Sequence, residues 1–186
     1  MTPFSKIVMI DAQAAGVAGD MFLGALLDLG ADVKKVTDAI KSLEREEYGY
    51  KNIAVDITQV TRKGFRATKV DVTAEGKHHK DGNQLIHIVE QTAANLNLSA
   101  KTKQFASNVI RTLVNAEAKL HGANGENLVD VHLHEVGLVD TAAEIIGSAV
   151  ALQDLGLFDA KIVSSPVSVG GGLITFSHGT VSVPSP

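Results

Sequence analysis

The sequence predicts an α/β or α+β protein in which a mixed sheet, including one β-hairpin, packs against helices. Three observations carry that expectation. Short extended runs rich in Ile and Val are interspersed with stretches whose apolar residues recur at helical spacing. Two neighbouring extended runs are joined by the turn-forming Arg62-Lys-Gly64-Phe65, which puts a hairpin inside the pattern and breaks pure strand-helix-strand alternation. Finally, 186 residues with 45% hydrophobic and 20% charged side chains are enough to bury a core.

Taken in order, Lys6 to Ile10 is a short strand, followed by a glycine-rich entry, Gly16 to Asp20, into a helix. Met21, Phe22, Ala25, Leu26 and Leu29 mark that helix, and Gly30 closes it. Asp32 is the N-cap of a second helix with Val33, Val36, Ile40 and Leu43 on one stripe. Ile53, Val55 and Ile57 form one hairpin arm and Ala67 to Val72 the other. The polar stretch from Glu75 to Gly82 is a surface loop. Helices then run from about Gln84 to Leu96 and from Ser99, an N-cap, to a stop at Gly122. Thr141-Ala-Ala-Glu144 has the spacing of a capping box opening a last helix that ends near Gly156. Lys161 to Val169 and Leu173 to Phe176 are β-rich, separated by Gly170-Gly171-Gly172. Residues 1–186 are read as one unit, with the composition shift near residue 80 as the one place where it would divide.

Composition excludes several function classes. A net charge of -4 supplies no broad basic field, and 4% aromatic residues leave little for base stacking, so nucleic acid is not an expected partner. No apolar stretch approaches the ~20 residues of a membrane span, and the N-terminus lacks a signal-peptide pattern, so the cytoplasm is the expected compartment. Without cysteine, any bound metal must be held by imidazole and oxygen. No nucleophile elbow is present, which removes support for covalent hydrolase chemistry.

The most informative stretch is Asp130-Val-His132-Leu-His134-Glu135-Val-Gly137-Leu-Val-Asp140. In an extended segment Asp130, His132 and His134 share one face, a donor set suited to a divalent metal; a solvated strand face is the plainer alternative. Glu135 and Asp140 add carboxylates, whereas Glu144 has a capping role to explain it. His78 and His79 sit in the polar loop, where exchangeable ligands would capture and pass on a metal, and His87 follows on the next helix. Gly16 to Asp20 at a helix start could receive a phosphate, although it is no Walker loop and strand-helix packing explains it as well. Asp11, at a strand end, could join Asp20 around Mg²⁺. Gly171, within the triple glycine, and His178 could border a ligand, or simply form a turn.

Five stretches together resemble the LarC family of nickel-pincer cofactor biosynthesis proteins. They are Gly16-Val-Ala-Gly19-Asp20-Met21-Phe22-Leu23-Gly24-Ala25-Leu26, Ala116-Glu-Ala-Lys-Leu-His121-Gly122, Val131-His-Leu-His-Glu-Val-Gly-Leu-Val-Asp140, Ser165-Pro-Val-Ser-Val-Gly170-Gly171-Gly172, and Ser177-His178-Gly179. Ala18 stands where many members have Ser, and Glu144 where many have Asp.

The resemblance implies the N-terminal part of a nickel chelatase, a lyase-type enzyme that inserts Ni²⁺ into pyridinium-3,5-bisthiocarboxylic acid mononucleotide with nickel–carbon and nickel–sulfur bonds. It implies dependence on CTP with Mg²⁺ or Mn²⁺, handled by a C-terminal portion expected to lie beyond this chain, and a product that serves lactate racemase and related apoenzymes. Metal ligands are expected among His132, His134, Glu135, Asp140, His78 and His79, and cofactor contacts among Asp11, Gly16, Gly19, Asp20, Gly171 and His178. The alternative is a non-catalytic module that holds nickel or precursor for a separate CTP-using partner. Self-association and the activity of the isolated chain stay open at this point.

Overall fold

A computed structural model of the chain describes residues 6–76, 80–120, 139–176 and 179–183. Helices and strands are mixed as expected, but among the described residues the strands form three separate two-stranded sheets. The chain divides into two compact units, residues 1–18 with 159–186 and residues 19–158.

The first unit is built on a parallel pair. Strand β1 (Ile7–Ile10) lies beside β4 (Lys161–Ser164), with Ile7 opposite Lys161 and Ile10 opposite Ser164. Ser165 ties the two strand ends together: its Oγ accepts from the Ala12 N–H at 2.8 Å and donates to the Asp11 carboxylate at 3.2 Å. The β character expected over Lys161 to Val169 stops at Ser164. A hairpin of β5 (Gly172–Phe176) and β6 (Gly179–Val183) follows, its second strand not foreseen from the sequence.

The second unit is organised around a helix. Helix α5 (Val139–Asp154) buries Val139, Ala142, Ala143 and every residue from Ile145 to Leu152. A helix apolar on nearly all sides needs neighbours on nearly all sides, and α5 packs against α1 (Gly19–Asp28), α2 (Val33–Lys41), α3 (Gly82–Asn95) and α4 (Ala100–Leu120). Small residues let them approach. A Cβ on Gly147 would come within 3.1 Å of both Leu23 and Ile40, side chains that are fully buried.

Local chemistry sets the boundaries of these elements. The Asp32 carboxylate accepts from the Lys34 and Lys35 N–H groups, capping α2 as its sequence predicts. Val36 and Ile40 on that stripe are buried, while Val33, in the first turn, is exposed. Asp81 and Gln84 form a reciprocal capping box at α3. Ser99 Oγ accepts from the Thr102 N–H at 3.2 Å at the start of α4.

The predicted hairpin consists of β2 (Tyr50–Arg62) and β3 (Phe65–Gly76). Lys63 and Gly64, both at positive φ (49° and 86°), make the two-residue turn whose twist matches that of paired strands. The ladder shifts register between Lys51 and Ala54. There the Glu44 carboxylate accepts from the Asn52 and Ile53 N–H groups at 3.1 and 3.2 Å, satisfying donors the irregularity frees.

Candidate functional site

The N-termini of α1 and α5 meet within the second unit. Helix α5 starts at Val139, so Thr141 lies inside it and Glu144 is no longer at the third position of a capping box. Glu144 instead reaches across to α1, where its carboxylate accepts from the Asp20 backbone N–H. A Cβ at Gly19 would overlap that carboxylate, so glycine is what admits it. The free donors and partial positive charge at the start of α1 are thus met by a carboxylate from α5. Gly19→Ala is expected to destabilise the fold by about 1–3 kcal/mol, the usual range for forcing atoms into a packed site. Urea unfolding measures this, and an unchanged midpoint would show that Glu144 is not seated there.

The electrostatics follow from this placement. Burial, first, then the charges of Asp140 and Asp20 push the Glu144 carboxyl up to about 7, against the opposing pull of the Asp20 N–H. Asp140 lies one helical turn before Glu144 on the same face. On its other side Glu144 borders a cleft of about 320 Å³ walled by Phe22, Phe105, Val109, Leu113 and Ile145, which supplies the poorly solvating surroundings. Tyr50 is fully buried, and its hydroxyl has no hydrogen-bond partner among the described residues. Burial, and then the Asp140 charge, push that phenol up to about 12. The arrangement can exchange a proton near neutral pH and offers oxygen donors to a cation.

Of the residues singled out from sequence, Gly19, Asp20 and Asp140 are brought together here. Asp11, Gly16 and Gly171 belong to the first unit. Asp11 accepts from the Gln13 N–H at 3.1 Å as well as from Ser165. Gly16, at φ +74°, donates its N–H to the Ala12 carbonyl at 3.1 Å, and a Cβ there would stand 2.8 Å from the Ser168 carbonyl oxygen. His78, His79, His132, His134, Glu135 and His178 lie outside the described residues. Among the described residues no three His, Asp or Glu side chains are grouped to hold a metal ion. Sequence reasoning assigned Glu144 only a capping role. The four-residue spacing from Asp140 was the signal that both carboxylates share a helix face. Tyr50 carried no signal of its own.

Asp20, Asp140 and Glu144 thus stand together at the starts of two helices in a mixed α/β protein that has no thiolate. The chain belongs to the nickel insertion protein family, whose model matches residues 8–186. It is 35% identical over 173 residues to a "pyridinium-3,5-bisthiocarboxylic acid mononucleotide nickel insertion protein" of Staphylococcus saprophyticus, covering 92% of this chain and 41% of the relative. Proteins of the same description from Geobacillus kaustophilus and a Thermotoga species are each 35% identical, covering 97% of this chain and 43% and 44% of their own lengths. The chain thus spans less than half the length of these curated relatives. No solved structure matches it.

Proposed function

We propose that this chain binds Ni²⁺ for insertion into pyridinium-3,5-bisthiocarboxylic acid mononucleotide, with His132, His134 and Asp140 as principal ligands and Glu135, His78 and His79 as exchange ligands. The observation that carries the reading is the Asp140–Glu144 pair in the first turns of α5, with a carboxyl poised near 7. The His132 to Glu135 segment precedes Asp140 by a few residues in the chain, within reach of the same helix end. Nickel is cargo, so its site must release it. Imidazole and carboxylate without thiolate suit exchange better than a closed sulfur cage does.

Replacing a ring C–H by a nickel–carbon bond releases one proton per metal. Glu144, half protonated near neutrality, is suited to take up that proton, and its loss of charge would weaken the local hold on the cation. CTP with Mg²⁺ or Mn²⁺ is assigned to the remainder of the longer family protein. The start of α1 does not fit a nucleotide phosphate, because the Glu144 carboxylate occupies it. The second reading is a holding module without insertion activity, favoured by the match to less than half of each relative. Nickel incorporation into the precursor, assayed with CTP and Mg²⁺, separates the two. Product from the chain alone supports insertion by this part. Product formed only after the family's remaining portion is added supports the holding module, and nickel that never associates with the chain removes both.

A further inference from the structure

We propose that the parallel pair β1–β4 is a docking surface for the portion of the family protein outside this chain's match, which extends the sheet at an outer edge and covers its apolar faces. The inference is independent of nickel and starts from how little the first unit buries. Of that unit's described side chains only Ala12 is buried. Ile7 is 69% exposed, Met9 71% and Leu173 77%. Two-stranded sheets are marginal in water unless an apolar face is packed against something, and contiguous exposed apolar surface marks an interaction site.

The register of the pair shows where the uncovered surface lies. Ile7 beside Lys161 and Met9 beside Val163 share one face, while Val8 beside Ile162 and Ile10 beside Ser164 share the other. Exposed large apolar side chains stand on both, Ile7, Met9 and Val163 on the first and Ile162 on the second. The sequence agrees, because Ile7-Val8-Met9-Ile10 is an unbroken apolar run, the pattern of a parallel strand covered on both sides rather than one. In the β5–β6 hairpin, Leu173 and Ile174 point to opposite faces, and both are exposed as well.

Three occupants could cover such a surface, and the geometry favours one. A second copy related by two-fold symmetry meets an edge with the same edge or a face with the same face, so at least one apolar face stays in water. The second unit has its own core around α5, and its large exposed apolar side chains, Met21, Leu29, Val33 and Phe65, come singly from successive elements rather than as a run along one strand. The remaining portion of the family protein is neither symmetric with this chain nor short. The family match runs through β1 and β4, yet the chain covers only 43% and 44% of two relatives, so more than half of each is available to supply a strand and covering layers. Among the described residues the outer edges of β1 and β4 have no strand neighbour, and an added strand would pair with the backbone groups there.

Hydrogen exchange read by mass spectrometry tests this on two intact proteins, this chain and the full-length Geobacillus kaustophilus relative, both without nickel or nucleotide. Peptides over β1 and β4 are expected to exchange quickly in this chain, and those over the matched strands of the relative at least about a hundredfold more slowly, as for strands moved from an open edge into a core. Peptides over α5 should be protected in both and serve as the internal reference. Met9→Glu should leave the melting midpoint of this chain unchanged, whereas glutamate at the matched position of the relative should lower its midpoint and restore fast exchange of the strand. The proposal is overturned if the matched strands of the relative exchange as fast as β1 and β4 do here, or if glutamate there changes neither readout. It is equally overturned if β1 and β4 are already protected in this chain: protection that grows with protein concentration assigns the faces to a second copy, and protection that does not assigns them to the chain's own residues.

Discussion

Replacing His132 and His134 together by alanine is expected to lower the affinity of the chain for Ni²⁺ by roughly a hundredfold or more. Loss of an outer-sphere partner alone costs a metal site about 10–100-fold, and removal of two direct imidazole donors should cost at least the upper end of that range. The residual donors would be carboxylate oxygens, which hold Ni²⁺ less tightly than neutral imidazole does, and the exchange ligands His78 and His79. Affinity should also rise with pH, because a cation must displace protons from both imidazoles and from Glu144. Calorimetric titration between pH 6 and 8 reads both effects. Equal affinity in wild type and the double variant would transfer the metal to other groups, with His78 and His79 the next to be replaced.

Glu144→Gln is expected to stabilise the fold at pH 8 by about 2 kcal/mol and to change little at pH 5; each tenfold change in proton affinity is worth about 1.36 kcal/mol, and partial exposure reduces the total. The sign follows from the raised carboxyl. Below the unfolded value of 4.5 the group is protonated in both states and costs nothing. As pH climbs from there through about 7, the unfolded chain releases the proton first and the folded state is progressively penalised; above that the penalty is complete. Glutamine keeps an oxygen to accept from the Asp20 N–H but cannot ionise. Urea unfolding of both proteins across this window isolates the group, since all other titrations are shared. Parallel pH profiles would mean that Glu144 is solvated like an ordinary surface acid. The same variant should bind Ni²⁺ less tightly at pH 8, so that stability and metal affinity move in opposite directions.

What could be read in advance was whatever depends on neighbours in sequence. The Asp32 cap and the Lys63-Gly64 turn are each decided within four residues, and local chemistry defines them without help from the rest of the chain. Glu144 shows the opposite case. Its spacing from Thr141 satisfied a local rule, but α5 begins earlier, and the partner that fixes the side chain is Gly19, far away in sequence. No periodicity records such a meeting. The Tyr50 ring likewise looks like an ordinary strand residue until the fold encloses it beside an acid. Strand β6, Gly179–Val183, escaped because Thr180 and Ser182 dilute its apolar pattern. Gly19, read from sequence as a possible ligand contact at a helix start, lies against the Glu144 carboxylate of the protein itself.

The parallel pairing of Ile7 with Lys161 has a consequence for biosynthesis. At ribosomal rates of about 5–20 residues per second, the first strand emerges roughly ten to thirty seconds before its mate is made. Everything in between, from Gly19 to Phe158, forms a unit contiguous in sequence and can finish folding during that interval. Among the described residues β1 has only β4 as its strand partner, so closure of this parallel pair is a late event in the maturation of the chain.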